Sequence, residues 1–297
     1  MKLRYWLISV GILLLNSCAS THCGYITVSQ GGRIYYEERG NGHAVLLLHG
    51  HSLDRRMWDE QFAVFARHYR TIRFDFRGYG RSSEQTETMQ FTHADDVLTV
   101  MDSLHIDRAH LVGLSMGAFV AGDLLAMHPE RMISCTLASG GIRKNSPGPS
   151  VPMDSAESRR RDVEIEALKQ KGVNTMKQEW LDALVNGGGS QRERIRKPLS
   201  RMIRDWTAWQ PLHKEVRLFY GREAWQQLIK TRPEIPVLIL SGETEHKKGT
   251  PAEMKYLPYG ETITLPDCGH MMNMEQPHVF NTTVLNFIEQ TESSPIK

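Results

Sequence analysis

Ser115 stands between two glycines in "LVGLSMGAFV" (residues 111–120), and the chain changes character there. The residues before it, "AHLVGL", are apolar enough for a strand, and those after it, "MGAFVAGDLLA", suit a helix. A serine at a sharp strand-to-helix turn projects its hydroxyl out of the sheet. Gly113 and Gly117 permit the close backbone approach that such a turn needs. The helix beyond presents its free first-turn N–H groups toward the same point. A serine hydroxyl is a weak nucleophile until a base takes its proton, so the chemistry suggested is acyl transfer with a histidine as partner.

The chain carries 13 histidines and 4 cysteines, which supply rival readings. Cys268 lies two residues before His270, but Ser115 has the better setting for a nucleophile. Cys135 sits in the apolar run "MISCTLAS" and suits a buried free thiol. His49 and His51 have a spacing that could hold a metal, yet no carboxylate or cysteine is placed to complete the set, and no cysteine pair has metal spacing. The expectation is therefore no metal and no cofactor.

The elements that must position Ser115 alternate along the chain. "YITVSQGGRIYYEERG" (25–40) alternates as a hairpin turning at Gly31-Gly32, and "AVLLLHG" (44–50) is a continuous apolar run. "RRMWDEQFAVFARHY" has helical spacing, "TIRFDFRGYG" is a strand ending in glycines, and "THADDVLTVMDSLHI" is a helix capped by Thr92. A further strand, "RMISCTLASGG", follows the helix after Ser115. The pattern resumes at "IPVLILSGE" (235–243), with a helix near "TPAEMKYL", a strand "ETITLP" and a last helix "PHVFNTTVLNFIEQ". Such interleaving predicts an α/β fold with a mostly parallel sheet covered on both faces. Residues 143–232 break the pattern. They open with the loop "KNSPGPSVP", turn charged and helical, and hold four of the 6 tryptophans. This is the composition of a helical insertion, either a small core of its own or an apolar lid over a pocket.

Lys+Arg and Asp+Glu number 36 and 34, which argues against a nucleic-acid surface. The first residues, "MKLRYWLISVGILLLNSCAS", place Lys2 and Arg4 before an apolar stretch too short for an ordinary membrane-spanning helix. Leu15-Asn16-Ser17-Cys18 resembles the bacterial lipoprotein box. That implies a leader over 1–17, lipidation of Cys18 and a tether over 18–24, the alternative being a plain signal peptide. With Ala19 and Ser20 after the cysteine, the resemblance implies a lipid-anchored protein of the bacterial cell envelope, at the periplasmic face of the outer membrane.

Two more segments join the serine motif. "VLLLHGHSLDRRMW" resembles the His-Gly segment of α/β hydrolases, and "LPDCGHMMNMEQPHVF" resembles that superfamily's segment of Gly269, His270, Glu275, Pro277 and Phe280. The chain is thus identified as similar to the α/β-hydrolase superfamily, closest in appearance to the 3-oxoadipate enol-lactonase and carboxylesterase-like branch. The resemblance implies an eight-stranded, mostly parallel sheet, with core parts at 25–142 and 233–297 and a lid inserted after the sixth strand. It names Ser115 as nucleophile, His270 as general base, and the backbone N–H groups of His51 and Met116 as oxyanion hole. The acid falls on Glu245, with Glu243 as the alternative. Asp75 and Arg77 match a loop of structural rather than catalytic use. Trp180, Trp206, Trp209 and Phe219 are the residues expected to line the substrate pocket. The activity implied is hydrolysis of a small-molecule ester, thioester or lactone through an acyl-serine. The alternatives are C–C bond hydrolysis of a diketone on the same site, or a receptor of this fold that binds without turnover.

Overall fold

A computed structural model describes residues 20–214, 218–245 and 251–293. The leader at 1–17 and Cys18 lie outside the described residues. Among those described, no helix is long and apolar enough to cross a membrane.

A strand without polar residues must be covered on both faces. "AVLLL" forms β3 (Ala44–Leu48), buried throughout. Its side chains alternate, Leu46 and Leu48 entering one core cluster and Val45 and Leu47 the other. β5 (Ala109–Leu114) does the same, with Leu111 on one side and Val112 and Leu114 on the other. Each such side chain taken from water contributes about 1.5–3 kcal/mol. These two strands therefore hold the two halves of the core together.

Around them lie β1 (His22–Thr27), β2 (Arg33–Arg39), β4 (Arg70–Phe74), β6 (Met132–Ala138), β7 (Val237–Gly242) and β8 (Gly260–Leu265). The eight-stranded sheet has the order β1-β2-β4-β3-β5-β6-β7-β8. The pairs β1–β2 and β2–β4 are antiparallel, and every later pair is parallel. Helices α1 (Asp59–Phe65), α2 (His93–Ser103) and α3 (Met116–Met127) follow the strands in turn. Thr92 caps α2 as expected, its Oγ1 accepting the Asp95 N–H at 3.1 Å. α3 is buried nearly all round, the state its sequence of small and apolar residues suits.

Between β6 and β7 the chain runs through α4 (Ser155–Lys171), α5 (Val173–Asn186), α6 (Arg192–Asp205), the single turn α7 (Trp209–Leu212) and α8 (Arg222–Thr231). Here three expectations need correction. α8 falls inside the span taken as an insertion (143–232), yet Ala224 and Leu228 join the main core beside α3. Asp123 of α3 accepts the N–H groups of Tyr220 and Gly221 where α8 begins, at 2.8 and 3.2 Å. β1 starts at His22, inside the stretch read as tether, because His22 to Gly24 pair with Glu38 to Tyr36 through the backbone, which needs no apolar pattern. "TPAEMKYL" yields only a short 3₁₀ turn at Ala252–Tyr256, before α9 (Met272–Glu275) and α10 (Pro277–Ser293).

Candidate active site

Ser115 joins β5 to α3 with φ 55° and ψ −113°, a left-handed conformation that costs a non-glycine residue about 1–3 kcal/mol. The surroundings enforce it. A Cβ on Gly113 would collide with the backbone of Gly117, and one on Gly117 with the Leu48 carbonyl, so both glycines are steric requirements of the elbow. The Ser115 N–H donates to the Ala138 carbonyl at 2.9 Å, tying the elbow to the end of β6.

The residue after β6, Ser139, holds the other half of the site. Its Oγ lies 2.8 Å from Glu245 Oε2 and 3.2 Å from the His270 carbonyl oxygen, sharing one proton between them. Glu245 Oε1 accepts from His270 Nδ1 at 2.9 Å, and Oε2 also accepts the Gly242 N–H at 3.0 Å. Burial pushes the Glu245 carboxyl up, but these hydrogen bonds outweigh it and hold the group at about 2. The carboxylate can only accept, so Nδ1 carries a proton and Nε2 is left as the basic nitrogen of the neutral ring. Glu245 is almost covered, whereas the His270 side chain is 30 % exposed and open to a reactant. Glu243 points elsewhere and accepts the Asp267 N–H at 2.9 Å.

His51 follows Gly50, and a Cβ on Gly50 would stand 3.6 Å from that of Ser115. The loop after β3 thus lies against the serine, as Met116 does by chain connectivity at the first turn of α3. The His51 ring is neutral near pH 7, since burial pushes it down to about 4 with His49 adding to the effect. Its Nδ1 is 2.8 Å from the Tyr79 hydroxyl. His49 cannot pair with it on a metal. Its Nε2 accepts the Phe76 N–H at 2.9 Å, which puts its proton on Nδ1, toward the Gly50 carbonyl at 2.8 Å.

Two cavities meet at His51. One, of about 320 Å³, is lined by Met176, Trp180, Ala183 and Trp206. The other, of about 540 Å³, has Phe219 and Leu218 together with Arg143, Glu157 and Arg161. Trp180, Trp206 and Phe219 therefore line space beside the site. Trp209 lines neither cavity, because its ring stacks on His213 at 4.4 Å. Asp75 and Arg77 sit in buried ion pairs with Arg55 and Asp96. Burial pushes the Cys268 thiol up to about 12, which keeps it protonated and inert.

Ser52, Tyr79 and Ser139 belong to the site and are singled out by no motif in the sequence. Trp180 Nε1 donates to Ser52 Oγ at 2.7 Å, and Ser52 Oγ donates to the His51 carbonyl at 2.5 Å, so α5 grips the loop beside the serine. Gly187 to Ser190, the stretch "GGGS", clasps the other side. The Gly187 carbonyl accepts from Thr244 Oγ1 at 2.6 Å. Buried Glu275 accepts the N–H groups of Gly189 and Gly269, at 2.7 and 3.1 Å. Ser139, Ser52 and Tyr79 act through contacts between distant segments, and no local spacing announces them.

The profile described as "Alpha/beta hydrolase family" matches residues 45–283. The chain is 26% identical over 275 residues to 3-oxoadipate enol-lactonase 1 of Acinetobacter baylyi, covering 91% of this chain and 98% of that one. It is 27% identical over 290 residues to a 2-hydroxy-6-oxononadienedioate/2-hydroxy-6-oxononatrienedioate hydrolase of Paraburkholderia phymatum, covering 90% and 95%. A thermophilic esterase from Thermogutta terrifontis superposes with a TM-score of 0.71 at 25% identity, covering 91% of this chain and 99% of that one.

Proposed function

The chain belongs to the alpha/beta hydrolase family and is a hydrolase of that family, and from that premise we propose that it cleaves a small carboxylic ester, thioester or lactone through an acyl-serine. One observation carries the reading: the end of β6 holds strained Ser115 through Ala138, and the Glu245–His270 pair through Ser139. His270 Nε2 takes the Ser115 proton as Oγ attacks the carbonyl carbon, and Glu245 stabilises the imidazolium that forms. The N–H groups of His51 and Met116 receive the oxyanion, each donor of that kind being worth about 3 kcal/mol in the transition state. His270 then gives its proton to the leaving group, and afterwards activates the water that frees the acid. α4 to α7 cover the site, with the acyl group on the Trp180–Trp206 side.

Arg143, in the wall of the larger cavity, favours a substrate that bears its own carboxylate. Arg161 is already engaged with the carbonyls of Gln210 and His213. Arg143 donates through Nε to Ser146 Oγ at 3.1 Å and lies over Phe119 and Phe219. A second reading, hydrolysis of a C–C bond in a diketone acid on the same residues, is favoured by the similarity to the oxononadienedioate hydrolase.

The test is turnover of a short-chain p-nitrophenyl ester series by wild type, Ser115→Ala and His270→Ala. Multiple turnovers abolished in both variants support the mechanism. A single burst equal to the enzyme concentration would favour a binder instead. No ester turnover, with steady hydrolysis of a vinylogous diketone acid, would favour the second reading. Lipidation of Cys18 and residence in the cell envelope complete the proposal, resting on the resemblance of Leu15-Asn16-Ser17-Cys18 to the lipoprotein box. Fatty-acid labelling that survived Cys18→Ala would refute that part.

A further inference from the structure

At the opposite end of the sheet, three potential metal ligands from distant parts of the chain converge. His43 precedes β3, His110 is the second residue of β5, and Glu292 lies in the last turn of α10. His43 Nδ1 is 2.6 Å from Glu292 Oε1, and His110 Nε2 is 3.3 Å from the same oxygen. One ligand atom from each residue lies within 4.8 Å of the other two. We propose that His43, His110 and Glu292 form a binding site for one divalent transition-metal ion of the zinc class, which pins α10 to the starts of β3 and β5.

Geometry and donor chemistry both fit. Zinc bonds imidazole nitrogen at about 2.0–2.1 Å, so neighbouring ligand atoms in a tetrahedron stand about 3.3 Å apart. The His110–Glu292 separation has that value already, and the exposed His43 side chain has room to withdraw by the remainder. His110 is fully buried and its Nδ1 lies 2.8 Å from Ser134 Oγ. A hydroxyl on one ring nitrogen orients the other toward an ion, in the manner of an outer-shell partner. Glu292 adds a negative charge, and the carbonyl end of α10 further favours a cation there. Its second oxygen, Oε2, accepts from the Tyr69 hydroxyl at 3.4 Å. Side chains that are 65 % and 28 % exposed at His43 and Glu292 leave an entry path and space for water as fourth ligand. The site stands at the start of β5, whereas Ser115 follows its end, so the ion would act on stability and not on the reaction.

The experiment is a calorimetric zinc chloride titration of the full chain, purified without an affinity tag and stripped with a chelator, beside His43→Ala and Glu292→Gln. One equivalent bound by wild type is expected, with affinity at least about tenfold weaker in each variant, a loss that even outer-shell changes produce. Cobalt(II) should give the visible absorption of a four-coordinate site in wild type only. No zinc binding by wild type, or equal binding by wild type and both variants, would overturn the proposal and leave a hydrogen-bonded cluster. His43 is exposed, so His43→Ala reports binding even if Glu292→Gln folds poorly.

Discussion

Two histidine–glutamate pairs stand at the two ends of one sheet. His270 Nδ1 meets Glu245 at 2.9 Å near the strand ends that carry Ser115, and His43 Nδ1 meets Glu292 at 2.6 Å beside the strand starts. In both, burial alone would raise the carboxyl, and in both the histidine hydrogen bonds prevail and lower it. A depressed carboxylate beside a histidine therefore does not mark catalysis. Their surroundings separate them. Glu245 has further donors in Gly242 and Ser139, and its partner histidine is held through its carbonyl at the same strand end as a strained serine. Glu292 has a second histidine instead of a nucleophile. One arrangement is suited to moving a proton, the other to holding an ion.

The comparison breaks most sharply at the carboxylates. Glu245→Gln should lower kcat by about 10⁴, the loss typical when a triad histidine is left in the wrong tautomer. Glu243→Gln should stay near wild type in the same assay. Equal losses in the two would erase the distinction drawn between adjacent acids.

Acid unfolding sharpens the same point. The folded Glu245 sits at about 2, below its ordinary 4.5, so its stabilising contribution is complete above pH 4.5 and is lost as the pH falls toward 2. Denaturant unfolding across that window should show the gap between wild type and Glu245→Gln closing with acid. A gap that widened would mean the carboxylate is not held by these hydrogen bonds.

Trp180→Phe keeps the ring but removes the N–H on Ser52. Its kcat should fall by about tenfold, less than the 10²–10³ lost when an oxyanion donor itself is removed. If only KM changed, Trp180 would be pocket wall alone.

The smallest effect is expected at His93, fully buried with neither ring nitrogen hydrogen-bonded among the described residues. It sits among Phe76, Phe91 and Phe219, and burial pushes it down to about 3. Below pH 6.5 the unfolded chain takes a proton that the folded ring refuses, so stability drops as pH falls toward 3. His93→Phe should add about 1 kcal/mol at neutral pH and flatten that decline, read from thermal unfolding against pH.

Much of this architecture is legible along the chain, for physical reasons. β3 is apolar at every position, as two-sided burial demands, β5 departs from that only at His110, and Gly113 and Gly117 bracket Ser115 because any side chain there would strike backbone. Thr92 announces α2 as its cap. What stays hidden depends on apposition. β1 begins among polar residues at His22 because an edge strand pairs through its backbone. Trp209 resembles its three companions in type, but the partner that removes it from the cavity, His213, is set by the fold of α7. Glu243 and Glu245 are two residues apart, and only the turn after β7 decides which one meets His270. Ser139 carries no motif, although it joins the acid to the histidine.

The central claim is that Ser115 becomes acylated. Rapid quenching of the protein with p-nitrophenyl acetate, followed by intact-mass and peptide mass spectrometry, tests it directly. One acetyl group per chain is expected, on the peptide containing Ser115, and it should disappear in Ser115→Ala. Acetyl on another residue, or product release that survives Ser115→Ala, would contradict it.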